Sequence, residues 1–442
     1  MNKKIFLVFF FAFLIRLIAL NQSLWLDEAV TAKVVMTYGF TEIVSKFSPT
    51  DFHPPLYYLL MKLWTNIFGY SEVALRMPSV IFSLLTGWII FKICRLRLGH
   101  GEPLWTAAFF LFNPLVVFYS QEARMYMMAT FLLTGGLYYF FKYQKKNSNI
   151  KDIFMMNLFF ALAFFTFYGS IFFIATIFLY FLYKKNYKVF IQNILYFIPV
   201  ILVISPLLYH QFIYSKIALS SVSNWSMVLG KVNIKNLLLI PIKFSIGRIS
   251  FYPKMIYWIV SGIWTAWVFK KALTGGLKNK QLFFLFIFPL ALGFVLSFFT
   301  PMLQYFRFIY LIVLMSLLLG RSNRHGWILS IGFITLCLVY LLNPSFHRED
   351  WKSLVKNLPN NKPIYMIMSS SDPVKYYSRN LTTNDLTSLR VNELEKEIIV
   401  IPYTSDIHGL DYKGLLTKNG YRLKKEVSFR EVTYEQWSLS TK

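Results

Sequence analysis

The residues able to do chemistry in this 442-residue chain are its acids, because the first 342 residues hold only eight of them. Asp27 and Glu28 are adjacent, in Leu24-Trp25-Leu26-Asp27-Glu28-Ala29. Neighbouring carboxylates beside an aromatic membrane edge can supply a general base with a raised pKa, or a cation site. The same pair also suits the first turn of a helix, where acids complement the helix dipole. Ser120-Gln121-Glu122-Ala123-Arg124-Met125-Tyr126 packs further polar groups between two apolar runs, with Glu122 and Tyr126 at helical spacing. It can equally be a polar turn that opens a helix. His53 precedes Pro54-Pro55 at another helix start. Arg76, in Ala74-Leu75-Arg76-Met77-Pro78, and Arg307, in Gln304-Tyr305-Phe306-Arg307, each sit at the end of an apolar run. Such arginines either snorkel to lipid headgroups or fork onto phosphate oxygens.

The elements that must position these groups are helices in a membrane. Hydrophobic residues make up 56% of the chain, against about 45–50% for a soluble domain. Val189–His210 and Leu282–Tyr305 contain no Lys, Arg, Asp or Glu. Apolar segments at 5–20, 79–93, 104–119, 125–141, 153–167, 170–183, 189–209, 255–269, 282–299, 305–320 and 326–342 predict about eleven crossings. Ile153–Tyr183 is too long for one crossing, so it is divided at Tyr168-Gly169-Ser170, where glycine permits a tight turn. Lys3 and Lys4 precede an uncleaved first helix. The net charge of +26 does not mark a nucleic-acid partner, because its excess lies in short clusters between apolar runs. Lys92/Arg95, Lys142/Lys145/Lys146, Lys184/Lys185, Lys270/Lys271 and Arg321/Arg324 mark alternate loops as cytoplasmic. That places the N-terminus inside, and loops 21–78 and 210–254 outside with Asp27, Glu28, Glu42, Asp51, Glu72 and Glu122. Pro54–Phe68 reads as a helix in the interface plane. Cys94 and Cys337 both lie in apolar segments and form no disulfide framework.

After residue 342 the composition changes, and 343–442 reads as a small α/β domain outside the membrane. Helices are expected at Glu349–Leu358 and Gly409–Lys418. Strands are expected at Pro363–Met368, Glu397–Pro402, Tyr421–Val427 and Glu431–Trp437.

Five segments occur in a familiar order: "LWLDEA", "HPPLYYLLMKLW", "FGYSEVALRMPS", "YSQEARMY" and "REDW" at Arg348–Trp351. Together they resemble the family 39 membrane glycosyltransferases, which include dolichyl-phosphate-mannose protein mannosyltransferases and bacterial aminoarabinose lipid A transferase. The resemblance covers residues 5–142 and is topological beyond them until "REDW". It implies a GT-C fold over residues 1–342 and a polyprenyl-phosphate sugar donor. Asp27 matches the family's first-loop catalytic acid, and Arg76 matches an arginine needed for activity. His53, after Phe52, stands where the aminoarabinose enzymes carry a glutamate-preceded lysine that contacts phosphate. That departure separates this chain from aminoarabinose specificity and from that family's metal site. The large inserted domain of the protein mannosyltransferases has no room here.

The expected chemistry is therefore a single inverting displacement at the outer face of an integral, plasma-membrane enzyme. Asp27, with Glu28 beside it, takes the acceptor's proton. Arg76, Arg124, His53 and Arg307 are the candidate phosphate contacts, with Glu122 and Tyr126 beside them. Glu122 either orients the arginines or joins Asp27 around Mg²⁺ or Mn²⁺. The acceptor is a lipid, a surface glycan or a protein. A lipid-linked-sugar transporter or flippase would place ionisable groups near the bilayer midplane, and here only Arg16 lies inside a run. A non-catalytic scaffold has no use for an outward acid cluster.

Overall fold

The computed structural model describes residues 3–98, 102–145, 149–222, 224, 229–230, 232–322, 326–359, 361–389 and 395–440. Lys146, Arg324 and part of the expected loop 210–254 lie outside these residues.

Each of the eleven apolar segments contains a helix. The main helices of the first 342 residues are α1 (Lys3–Leu17), α2 (Leu26–Thr37), α3 (Leu56–Phe68), α4 (Glu72–Ile93) and α5 (Pro103–Leu111). Next come α6 (Pro114–Ser120), α7 (Tyr126–Tyr143), α8 (Ile150–Thr166), α9 (Ile171–Tyr183) and α10 (Tyr187–Ser221). They are followed by α11 (Ile234–Ile246), α12 (Lys254–Lys278), α13 (Lys280–Leu296), α14 (Leu311–Ser322) and α15 (Gly326–Leu342). Among the described residues, two helices are long and apolar enough to cross a membrane alone, Glu72–Leu96 and Tyr187–Ala218, or three if α5 and α6, bent by 59°, form one span. The count of eleven crossings is therefore not established, because most of the apolar helices are shorter than the roughly 20 residues a bilayer core requires.

Two boundaries moved, and a third fell where expected. Helix α4 starts at Glu72 because the Ser71 hydroxyl caps it, accepting from the Ala74 amide at 3.2 Å. Helix α10 runs on to Ser221, past the expected end at 209 and through Pro199 and Pro206. The divided run breaks at Tyr168–Ser170, as expected. The Phe167 ring folds against Gly169, where a Cβ would have no room. In α3, Tyr57, Tyr58, Met61 and Thr65 are buried while Leu63, Ile67 and Phe68 are exposed. The helix therefore presents an apolar outer face.

The C-terminal segment forms a five-stranded mixed sheet with strand order β2-β1-β3-β5-β4. Its strands are β1 (Ile364–Met366), β2 (Thr383–Asp385), β3 (Glu397–Ile401), β4 (Tyr421–Phe429) and β5 (Val432–Leu439). Helices α16 (Trp351–Lys356), α17 (Asp372–Tyr377) and α18 (Tyr412–Lys418) cover it. Central β3 is buried on both faces, so its run of apolar residues shows no alternation. Ile399 and Ile401 join the cluster around Trp351, and Ile398 and Val400 join the one around Trp437. Strand β2 and helix α17 were not anticipated; Thr383–Asp385 is short and polar and carries no hydrophobic pattern.

This segment is docked against the helices by specific contacts. The Tyr377 hydroxyl accepts from the Leu24 amide at 2.8 Å, and the Tyr376 hydroxyl donates to the Tyr70 carbonyl at 2.7 Å. Lys33 pairs with Asp372 at 2.9 Å.

Candidate functional site

Glu28 and Arg76 form the centre of the framework rather than its working surface. Both side chains are fully buried. Arg76 Nε donates to Glu28 Oε1 at 2.8 Å and Nη2 to Oε2 at 2.6 Å, a two-bond fork. The remaining donors go to the backbone carbonyls of Leu20, Gln22 and Ser23, at 2.6–2.9 Å. With these partners Arg76 keeps no N–H for a phosphate. The expected phosphate contact is thus corrected to a structural one. Glu28 Oε1 also accepts from the Ala123 amide at 2.8 Å, so one carboxylate joins α2, α4 and the 121–125 turn. Burial pushes the Glu28 carboxyl up, but Arg76, then Arg348, outweigh it and hold it below the usual range. Glu28 is a buried anion and does not face the cavity, so its expected place beside the base becomes one of support.

Asp27, one position earlier in the first turn of α2, points the other way. It lines a cavity of about 390 Å³ between the helices and the C-terminal segment. Glu122 and Tyr126 line it too, although Glu122 lies in a turn and only Tyr126 is helical. The remaining chemistry was not singled out from the sequence. Arg248, Lys254 and Arg348 enter the same cavity, as do Glu349 and Glu431. The guanidinium carbons of Arg348 and Arg248 lie 4.1 Å and 5.2 Å from the Phe118 ring centre, so one aromatic plate carries both cations.

Arg348 is 5% exposed. Its Nη2 donates to the Phe118 carbonyl at 3.1 Å and to Glu122 Oε2 at 3.2 Å. Its Nε lies 3.8 Å from Glu28 Oε2, beyond hydrogen-bond range, and neither Nε nor Nη1 has a hydrogen-bond partner. A buried guanidinium with donors to spare in a cavity is able to hold an anion. Arg248 donates to the Tyr305 hydroxyl at 2.6 Å, and Lys254 to the Ser250 hydroxyl at 2.8 Å. Glu349 was expected inside a helix. Instead Asp350 caps α16, its Oδ1 accepting from the Ser353 amide. Glu349 is left to accept from Trp351 and Tyr403 at 2.7 Å and 2.6 Å.

Burial dominates at Glu122 and, against the pull of Arg348, lifts its carboxyl to about 7 from 4.5. An acid raised in this way favours the folded state below about pH 4.5, and that contribution is lost as pH rises through 7.

Three other expected residues stay outside the cavity lining. Arg124 is buried, with Nη2 3.7 Å from Asp27 Oδ2 and Nη1 3.4 Å from both the Asp27 carbonyl and the Tyr58 hydroxyl. It positions Asp27 from behind. His53 Nδ1 lies 3.5 Å from Asp51 Oδ2, which accepts from the Tyr58 hydroxyl that also meets Arg124. Arg307 Nη1 donates to the carbonyls of Leu229 and Pro301 at 3.3 Å and 3.2 Å. Neither His53 nor Arg307 is among the residues that line the cavity. Among the described residues no three His, Cys, Asp or Glu side chains are grouped to hold a metal. Asp27 faces Arg124 and Glu122 faces Arg348, so this donor set does not fit Mg²⁺ or Mn²⁺. The signal for Arg348 was its place in "REDW". For Arg248 and Lys254 it was a basic charge within the loop 210–254 expected outside, where charge is not needed for cytoplasmic retention.

Residues 52–210 match the family model described as dolichyl-phosphate-mannose-protein mannosyltransferase. Along its length the fold is similar to that of ArnT from Cupriavidus metallidurans in the apo state. The TM-score is 0.51 at 10% identity, covering 97% of each chain. The oligosaccharyltransferase of Archaeoglobus fulgidus, in complex with Zn and sulfate, is similar over 90% of this chain and 68% of that one. Its TM-score is 0.51 at 9% identity. No curated protein sequence matches the chain. The fold is of the GT-C kind that ArnT shows, and residues 52–210 carry the similarity to the mannosyltransferase family.

Proposed function

We propose that this protein is an inverting glycosyltransferase that moves a sugar from a polyprenyl monophosphate to an acceptor hydroxyl at the extracytoplasmic membrane face. The observation that carries the reading is that Asp27 shares one cavity with Arg248, Lys254 and Arg348. Asp27 is one of four acids in that lining, and a carboxylate there facing three cations suits a reaction in which a proton is taken at one point and an anion leaves at another. The family description, with its dolichyl-phosphate donor, supports the same division.

In this mechanism Asp27 removes the proton from the acceptor hydroxyl as that oxygen attacks the anomeric carbon. The bond from that carbon to the phosphate oxygen breaks, and the electron pair leaves with the polyprenyl phosphate. The charge that develops on the phosphate is met by Arg348 through its free Nη1, with Arg248 and Lys254 beside it. These cations are already held in place by Phe118, Tyr305 and Ser250, so little reorganisation accompanies the step. No step passes through a metal. The inward N-terminus and outward C-terminal domain, read from loop charge, belong to this proposal.

The test is transfer by purified protein in lipid vesicles. Polyprenyl monophosphate sugars are expected to serve as donors, and UDP- and GDP-sugars to be inert. Arg348→Ala is expected to lower turnover by about 10²–10³, the usual cost of losing one preorganised donor to a developing oxyanion. Arg348→Lys recovers part of it, since the planar fork is lost. Equal rates with nucleotide sugars overturn the reading.

Glu122 gives this site a pH dependence. Below about pH 7 it is neutral and Arg348 turns its full charge to the donor; above, the carboxylate competes for it. Donor KM is therefore expected to rise at least about fivefold between pH 6 and pH 8, since roughly 1 kcal/mol is the worth of such a charge pair in bulk water and burial strengthens it. Glu122→Gln should hold KM low and flat across this range. A profile of KM that Glu122→Gln leaves unchanged excludes Glu122 as its source.

A further inference from the structure

The two strands that close the C-terminal sheet pair as far as Phe429 with Val432, leaving Arg430 and Glu431 as the entire connection. Glu431 has φ +59°. A side chain other than Gly or Asn is seldom found in this left-handed position of a tight turn. The tip is also tied down. Arg430 Nε donates to the Arg348 carbonyl, and the Asp350 amide donates to the Arg430 carbonyl at 2.9 Å. The hairpin is thereby fixed to the segment that carries Arg348. Glu431 itself is exposed within the cavity lining, and none of its contacts is a hydrogen bond or an ion pair among the described residues. Its charge acts on the Arg248 guanidinium and on the Glu349 carboxyl. An anchored turn thus holds an uncommitted carboxylate beside a cation of the phosphate seat.

We propose that Glu431 is a specificity residue, whose carboxylate accepts hydrogen bonds from hydroxyl groups of the donor sugar. This rests on the polyprenyl-phosphate-sugar reading given above. A sugar linked to a phosphate on Arg248 lies within a few bonds of that cation, in the same cavity that Glu431 lines. The charge of the carboxylate makes these hydrogen bonds stronger than neutral ones, and a missing hydroxyl is then discriminated against. The C-terminal domain would in this way read the sugar while the helices hold its phosphate. An ordinary solvated turn residue makes a different prediction, because glycine at this position relieves the left-handed backbone and removes nothing of use.

The experiment measures donor and acceptor KM and kcat for wild type, Glu431→Gln and Glu431→Gly, with thermal melting of each in the same detergent. The donors are polyprenyl-phosphate mannose and glucose with their monodeoxy analogues, compared against whichever parent sugar the wild type uses faster. Glu431→Gly is expected to melt no lower than wild type, yet to raise donor KM about tenfold and to lose the preference for parent over one deoxy analogue. Glu431→Gln, which keeps size and backbone, should show the same loss in smaller degree. Unchanged donor KM and unchanged preference in both variants overturn the inference and leave the transferase reading standing. A rise confined to acceptor KM overturns it as well. Absence of transfer from any polyprenyl-phosphate sugar by wild type overturns the transferase reading, and this inference falls with it.

Discussion

Asp27→Asn is expected to reduce turnover by about 10²–10⁴, the range that a positioned general base contributes. The substitution keeps the shape of the side chain and removes its capacity to take a proton. Folding should be nearly untouched, because Asp27 carries no part of the buried network: its side chain is 37% exposed, against 0% for Glu28. The effect should fall on kcat, with donor KM close to wild type, since the phosphate seat is built from Arg248, Lys254 and Arg348. Single-turnover transfer with saturating donor, together with a melting curve, separates the two. Near-normal turnover in Asp27→Asn would remove it as the base and make Glu122 the next candidate, for it is the other cavity acid contributed by the first 342 residues.

That contrast between Asp27 and Glu28 marks where sequence reading reached its limit. The acidic pair, the Ser120–Tyr126 turn and the division at Tyr168–Ser170 were all legible, because rare polar residues in an apolar chain stand out and glycine marks close approach. Most elements of the C-terminal domain were legible too, from apolar runs between turn residues. Which of two adjacent acids faces inward was not, since that depends on where Arg76 arrives from 48 residues away. For the same reason Arg76 was read as a phosphate ligand. A guanidinium at a helix end looks alike whether it turns out to headgroups or in to a carboxylate. The cavity cations escaped notice because they come from distant positions, 248, 254 and 348, with no local pattern to unite them. Helix lengths were legible only in part: α10 continues past its expected end, since neither proline nor the lone Lys216 stops it.

The second large effect expected is on stability, at Arg76. Arg76→Ala leaves Glu28 buried without its main counter-charge and strips three backbone carbonyls of their donor. Breaking a buried pair from one side costs about 3–5 kcal/mol, more than the pair itself contributes, because the remaining charge is stranded in a low-dielectric interior. Neutralising the acid as well, in Glu28→Gln/Arg76→Ala, should recover part of this loss and not all of it, since the carbonyls of Leu20, Gln22 and Ser23 stay unpaired. Arg76→Lys should fall between, with one ammonium unable to serve Glu28 and three carbonyls together. The measurement is melting temperature in detergent, followed by kinetics on the fraction that remains folded. A framework role predicts low stability, a fall in kcat as Asp27 is displaced with α2, and donor KM near wild type. A direct phosphate contact predicts the reverse pattern, with donor KM raised and melting unchanged. That result would return Arg76 to the cavity and require the Leu20–Glu28 segment to open before the donor binds.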